Sequence, residues 1–195
     1  MEDPRLKKHE LRNAVIKRFE AFTQEAYVEK CQIIQERLLD FANFQEAKTI
    51  LLYHPFPHEV DTRGIMEKCL EMGKVVLLPV LHPKTFELIT FKIDGIDKNM
   101  RPGAGDRSEP DPRKNKVVPL DFVDLSIIPG SVFDERGGRI GYGRGSYDRL
   151  IPLLPMTTRK VSLAFEAQLV SQVPMEAHDR YVDIIITEKR VIYKI

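Results

Sequence analysis

The sequence predicts a three-layer α/β domain, a mostly parallel sheet with helices on both faces, and three observations predict it. Apolar runs alternate with helical stripes: TILLYH (49–54), TRGIMEKCLEMG (62–73) and VVLLPV (75–80) read as strand, helix and strand, a β-α-β unit. The strands are continuously apolar rather than alternating, which indicates burial on both faces under covering helices. The chain has 195 residues, 43% hydrophobic and 30% charged, enough for one core and one domain over residues 1–195.

Taken in order, Leu11, Val15, Phe19 and Phe22 recur every three or four residues and form the stripe of a helix that begins after Pro4. A second helix carries Tyr27, Cys31, Ile34, Leu38 and Phe41 to about Asn43. After the β-α-β unit, in which Gly73 suits the left-handed residue that ends a helix, FELITFKI (86–93) reads as a strand paired to its neighbour through a turn at 82–85. Residues 97–119 lapse into a loop with four prolines and mixed charges, and so long a loop in a compact domain is functional or disordered. VDLSIIPG (123–130), KVSLAF (160–165), YVDIIIT (181–187) and RVIYKI (190–195) supply the remaining strands.

The net charge of +1 provides no basic field for a nucleic acid backbone, so any anion site must be local. No segment approaches the ~20 apolar residues that span a bilayer, and the charged start lacks a secretory pattern, so a cytoplasmic protein is expected. Cys31 and Cys69 lack the paired spacing of a zinc or redox motif and read as reduced thiols.

The densest stretch is GGRIGYGRGSYDR (137–149). Its glycines leave no side chain to block a ligand and let backbone N–H groups turn toward an anion. Arg139 and Arg144 add mobile positive charge, and a helix beginning near Tyr147 would add its positive end. The spacing misses both the P-loop and the dinucleotide fingerprint, so on glycines alone a structural turn stays open beside a phosphate cradle. Asp148 could cap that helix or hold Mg²⁺ beside phosphates. In YHPFPHEVDT (53–62), Glu59 and Asp61 follow a strand end, where open α/β sheets bind ligands; acids that favour a helix N-terminus are the alternative. The prolines between His54 and His58 argue against a zinc pair. In EAHDRYVDIIIT, Asp183 lies just inside a strand and reads as structural, while Asp179 on the preceding loop can reach a ligand. Lys8 and Arg12 share one helical face.

PGSVFDERGGRIGYGRGSYDR (129–149) closely resembles the signature of the 5-formyltetrahydrofolate cyclo-ligase family. The resemblance continues in order through Lys8-x-x-x-Arg12, YHPFPHEVDT, Glu109-Pro110, LAFEAQLV (163–170) and HDRYVDIIIT. It implies a Rossmann-like fold of the NagB/RpiA/CoA-transferase type, and ATP- and Mg²⁺-dependent cyclisation of 5-formyltetrahydrofolate to 5,10-methenyltetrahydrofolate through a phosphorylated formyl group. ATP contacts would fall to Lys8, Arg12, Arg139, Ile140, Gly141, Tyr142, Gly143, Arg144, Gly145, Ser146 and Tyr147, with Arg144 and Tyr147 acting in catalysis. His54 and Glu59 would contact the folate, and Asp148 and Asp179 would hold Mg²⁺. A monomer is expected, without nucleic acid or membrane partners. One departure is visible: the family commonly reads Gly-Tyr-Tyr-Asp where this chain has Gly145-Ser146-Tyr147-Asp148. A non-catalytic nucleotide- or folate-binding member of the same fold, and a transferase or isomerase without metal, are the competing readings.

Overall fold

Asp3 accepts the Arg5 N–H at 2.9 Å and Pro4 fills the first helical position, so α1 (Pro4–Phe19) begins where both residues favour a helix. The computed structural model describes residues 3–103, 108–142 and 144–194. The stripe expected to run on to Phe22 stops at Phe19, because the chain turns there and the Phe22 N–H donates to Phe19 O. The turn brings the two rings to 5.1 Å, and both then pack edge-on against Phe165. Thr23 caps α2 (Gln24–Leu39) by accepting the Ala26 N–H. That helix also ends earlier than expected: Asp40 terminates it, and a separate short α3 (Ala42–Glu46) buries Phe44.

The sheet then assembles from β1 (Thr49–Leu51), α4 (Arg63–Glu71), β2 (Val75–Leu81), β3 (Leu88–Ile93), β4 (Met100–Pro102), β5 (Ser108–Pro110), β6 (Leu125–Ile127), β7 (Val132–Phe133), β8 (Arg139–Ile140), α5 (Ser146–Leu150), β9 (Arg159–Leu163), β10 (Ile184–Ile186) and β11 (Val191–Tyr193). Seven strands form the main sheet in the order β11-β10-β9-β6-β1-β2-β3. The five inner strands are parallel, and antiparallel β3 and β11 close the edges. Every residue of β6 and β10 is buried, as the continuous apolar runs require.

Carboxylates tie the strand ends. Asp124 accepts the N–H groups of Lys48 and Thr49, both at 2.9 Å, locking the start of β1 beside β6. Asp183 accepts the Lys160 N–H at 3.0 Å, which makes it the structural carboxylate the sequence suggested. The predicted turn at 82–85 joins β2 to β3, but Phe86 does not begin the strand: it has φ +57 and sits in the turn, its N–H bonded to His82 O. The region 97–119 is not wholly loop, since β4 and β5 pair there as a hairpin crossed by an Arg101–Glu109 ion pair at 2.7 Å.

Gly73 and Gly137 both have positive φ, +70 and +82, but different surroundings. Nothing approaches within 4 Å of a methyl group built on Gly73, whereas one on Gly137 would overlap the carbonyl of Val182, whose N–H bonds to Gly137 O at 2.9 Å. Gly73→Ala is expected to cost about 1–2 kcal/mol of left-handed strain alone. Gly137→Ala adds overpacking and is expected to cost roughly 2–5 kcal/mol. Urea denaturation of both variants checks this, and equal losses would contradict the steric distinction.

Candidate active site

The carboxyl ends of β1, β2 and β6 open into a cavity of about 810 Å³, the place where open α/β sheets bind ligands and a size that suits a small organic molecule. Its wall has two chemically distinct parts.

One part follows β1. Tyr53, fully inside the core, donates its hydroxyl to Val60 O at 3.0 Å, and burial pushes its phenol well above the usual range. Thr62 returns a hydrogen bond to Tyr53 O, and Glu59 Oε2 accepts the Phe56 N–H at 2.7 Å. These bonds close residues 53–62 into a rigid loop that sets His54, Phe56 and Glu59 on the cavity wall, with Glu59 only 3% exposed. His58 turns the other way and packs on Phe19, so the two histidines form no metal pair. The Phe56 ring lies 5.0 Å from that of Tyr142, and Leu78, Leu81 and Phe86 extend the apolar surface.

The other part is the glycine-rich stretch. β7 and β8 form a hairpin whose turn is held by Asp134, which accepts N–H groups from Arg136, Gly138 and Val173. A methyl group on Gly138 would meet that carboxylate at 2.7 Å, so glycine is required for the close approach. Beyond the hairpin, Gly145 at φ +61 leads into α5, which starts at Ser146. Arg139, Gly141, Tyr142, Arg144, Gly145, Ser146, Tyr147 and Asp148 all line the cavity. Ile140 does not: its side chain is buried in the main core, because the alternation along β8 turns it away from Arg139. Gly143 lies outside the described residues.

Arg139 is the most buried cation of the site, with a side chain 2% exposed and its Nη2 2.7 Å from Asp148 Oδ1. Burial holds its guanidinium below the usual arginine range, opposed mainly by Asp148. The same Asp148 oxygen accepts the N–H of Arg180 at 3.0 Å, next in sequence to Asp179. The two carboxylates expected to hold metal, 31 residues apart in sequence, are thereby drawn to one region.

Lys8 and Arg12 do not line the cavity. Arg12 Nε donates to Gly141 O at 2.9 Å, bracing the glycine turn. Lys8 Nζ lies 2.5 Å from Asp179 Oδ2 and 2.7 Å from Glu176 Oε2. Burial works to raise the Asp179 carboxyl, but hydrogen bonds from Lys8 and the Glu176 N–H outweigh it and hold the group below the usual carboxylate range. Burial likewise works to lower the Lys8 ammonium, and Asp179 and Glu176 outweigh it and raise the group. Arg144, by contrast, is exposed on the cavity rim, its guanidinium 5.8 Å above the Phe86 ring.

Hard oxygen donors suit Mg²⁺, which needs only one or two carboxylates when phosphates complete its shell. Asp148 Oδ2 takes no hydrogen bond among the described residues, and Asp179 Oδ1 faces only His178 Nε2, at 3.5 Å. One oxygen of each carboxylate is thus available, and the residues fit the ion. Sequence reading passed over Phe56, Phe86 and Glu176. Phe56 and Glu176 sit inside stretches whose acids and histidines drew attention, and their proximity to those groups was the usable signal. Phe86 gave none, since a left-handed phenylalanine is not legible in one sequence.

Residues 4–188 match the model of the 5-formyltetrahydrofolate cyclo-ligase family. The Escherichia coli K12 5-formyltetrahydrofolate cyclo-ligase is 31% identical over 172 residues, covering 88% of this chain and 94% of that protein. The mouse 5-formyltetrahydrofolate cyclo-ligase is 24% identical, with 93% of each chain covered. Among solved structures, the Aquifex aeolicus 5,10-methenyltetrahydrofolate synthetase superposes with a TM-score of 0.83 at 28% identity, covering 96% of this chain and 92% of that one. With a model match along nearly its whole length, and relatives that agree with it in both sequence and fold, the chain belongs to the 5-formyltetrahydrofolate cyclo-ligase family.

Proposed function

We propose that this chain cyclises 5-formyltetrahydrofolate to 5,10-methenyltetrahydrofolate, coupled to cleavage of ATP into ADP and phosphate. The observation that carries the proposal is the divided cavity: an aromatic wall with a buried carboxylate on one side, and a glycine turn with Arg139 and Arg144 on the other. The first suits a flat, hydrogen-bonding pterin; the second suits phosphates. The cyclo-ligase and synthetase relatives support the same reading.

The chemistry needs no protein nucleophile. The formyl oxygen on N5 is a poor leaving group, so it attacks the γ-phosphorus of ATP; the new O–P bond forms as the bond to ADP breaks. N10 then attacks the activated formyl carbon, the C–O bond breaks, phosphate leaves with its electron pair, and the N10 proton is lost. What the chain supplies is positioning and charge. Phe56, Tyr142 and Phe86 provide the rings over the cavity, since Ser146 presents none. Glu59 orients the pterin by accepting a hydrogen bond, and His54 stands on the same wall. Arg144 neutralises phosphate oxygens, and Tyr147 positions the transferring group from α5. Mg²⁺ at Asp148 and Asp179 would supply further neutralisation of the phosphates.

A spectrophotometric assay tests the function: methenyltetrahydrofolate absorbs where the formyl substrate does not. Purified protein is expected to give an absorbance rise that requires both ATP and Mg²⁺, and no rise, or one that survives chelator, would overturn the reading. Arg144 is exposed and carries no structural ion pair among the described residues, so Arg144→Ala should fold normally. It is expected to raise the KM for ATP roughly 10–100-fold, the worth of one charge-assisted contact, with a smaller change for folate. Equal changes for both substrates would contradict the placement.

A further inference from the structure

Among the described residues, three other than glycine have positive φ: His58, Phe86 and Asn99, at +70, +57 and +58. Histidine and asparagine reach that region comparatively readily, whereas a bulky phenylalanine there has a strained backbone. Core packing does not account for the strain, because Phe86 is 44% exposed and lines the cavity. The turn that imposes it is over-determined. His82 N–H donates to Glu87 O at 2.8 Å, Phe86 N–H donates to His82 O at 3.0 Å, and Thr85 bonds both the His82 ring and the Glu87 carboxylate. A further bond comes from outside the turn: Arg149 Nη2 donates to Phe86 O at 2.7 Å. Arg149 does not itself line the cavity. It stands three residues beyond Ser146 on α5, so the bond ties Phe86 to the helix that follows the glycine turn. Strain that several bonds hold in place, at a residue burial does not explain, is a feature of binding and catalytic sites.

We propose that Phe86 is a stacking platform for a flat conjugated ring of a substrate, and that Arg149 is the positioning residue that holds it against α5. Folate and nucleotide both carry such a ring. The role rests on the substrates assigned under Proposed function. α5 opens with Ser146, which has no ring to offer the cavity, and the turn between β2 and β3 supplies one instead. The Arg144 guanidinium, itself planar, lies 5.8 Å from the centroid of the Phe86 ring and marks the face that a flat group can occupy. Its movement to phosphate clears that face. Offset stacking on a ring held in advance needs no rearrangement of the backbone when the ligand arrives.

Calorimetric titration with 5-formyltetrahydrofolate and with ADP, each alone, tests the platform, with the urea midpoint read on the same proteins. Phe86→Gly is expected to weaken one of the two ligands roughly 3–10-fold, the worth of one aromatic stack. Its urea midpoint should stay at or above that of the wild type, because glycine relieves the left-handed strain. Phe86→Tyr keeps the ring and should bind as the wild type does. Arg149→Met is expected to weaken the same ligand, and to add almost nothing to the loss already present in Phe86→Gly, since both changes remove one interaction. A loss confined to 5-formyltetrahydrofolate assigns the platform to the folate, and one confined to ADP assigns it to adenine. No loss for either ligand, equal losses for both, or a Phe86→Gly midpoint well below the wild type would overturn the platform. A wild-type chain that binds neither ligand would overturn the substrate assignment itself, and the platform with it.

Discussion

A single buried ion pair holds the site in register. The guanidinium of Arg139, at the end of a two-residue strand, meets Asp148 on α5 at 2.7 Å with almost no contact with solvent. Asp148 in turn holds the N–H of Arg180, and through it the segment that carries Glu176 and Asp179. Three stretches of chain, none of them part of the main sheet, are thereby fixed relative to one another. Removing one partner would leave an unpaired charge in a dry place, a far larger penalty than the pair's own contribution to stability. The hairpin underneath is pinned in the same way: Asp134 gathers three backbone N–H groups, one of them from Val173. A charged site of this kind stays organised because each carboxylate has a defined donor before any ligand arrives.

That organisation matters for the proposed reaction, in which the substrate supplies its own nucleophile and its own electrophile. Preorganised charge lowers the barrier without reorganisation at the moment of transfer, and a rigid wall sets the angle between the two reacting molecules. Here the rigid wall is the loop closed by Tyr53, Thr62 and Glu59, and the charge lies across the cavity on the glycine turn. Arg144 differs from its neighbours in being exposed and resting on the Phe86 ring, which leaves it able to move toward phosphate.

The fold class was legible because it follows from periodicity: apolar runs long enough to be buried on both faces, separated by helical stripes, specify a covered parallel sheet. The ends of elements were not. Phe22 and Phe41 fit their helical stripes by spacing, yet turns that pack Phe22 against Phe165, and Phe44 into the core, override that spacing. In the site, Asp148, Glu59 and the glycine-rich stretch stood out because their residue types are unusual together. Which carboxylate pairs with which cation could not be read, since Lys8 and Asp179 meet across 171 residues of sequence. Ile140 illustrates the same limit: membership of the motif does not place a side chain on the cavity, and the strand's alternation sends this one into the core.

Activation of the formyl oxygen by phosphorylation is the step on which the whole assignment of the cavity depends. It is tested most directly by following a heavy oxygen isotope placed in the formyl group of the substrate. If the formyl oxygen attacks ATP and departs on the phosphate, the label is expected in the inorganic phosphate released, one atom for each methenyltetrahydrofolate formed. Unlabelled phosphate, with the isotope recovered in water, would contradict transfer through a phosphorylated formyl group.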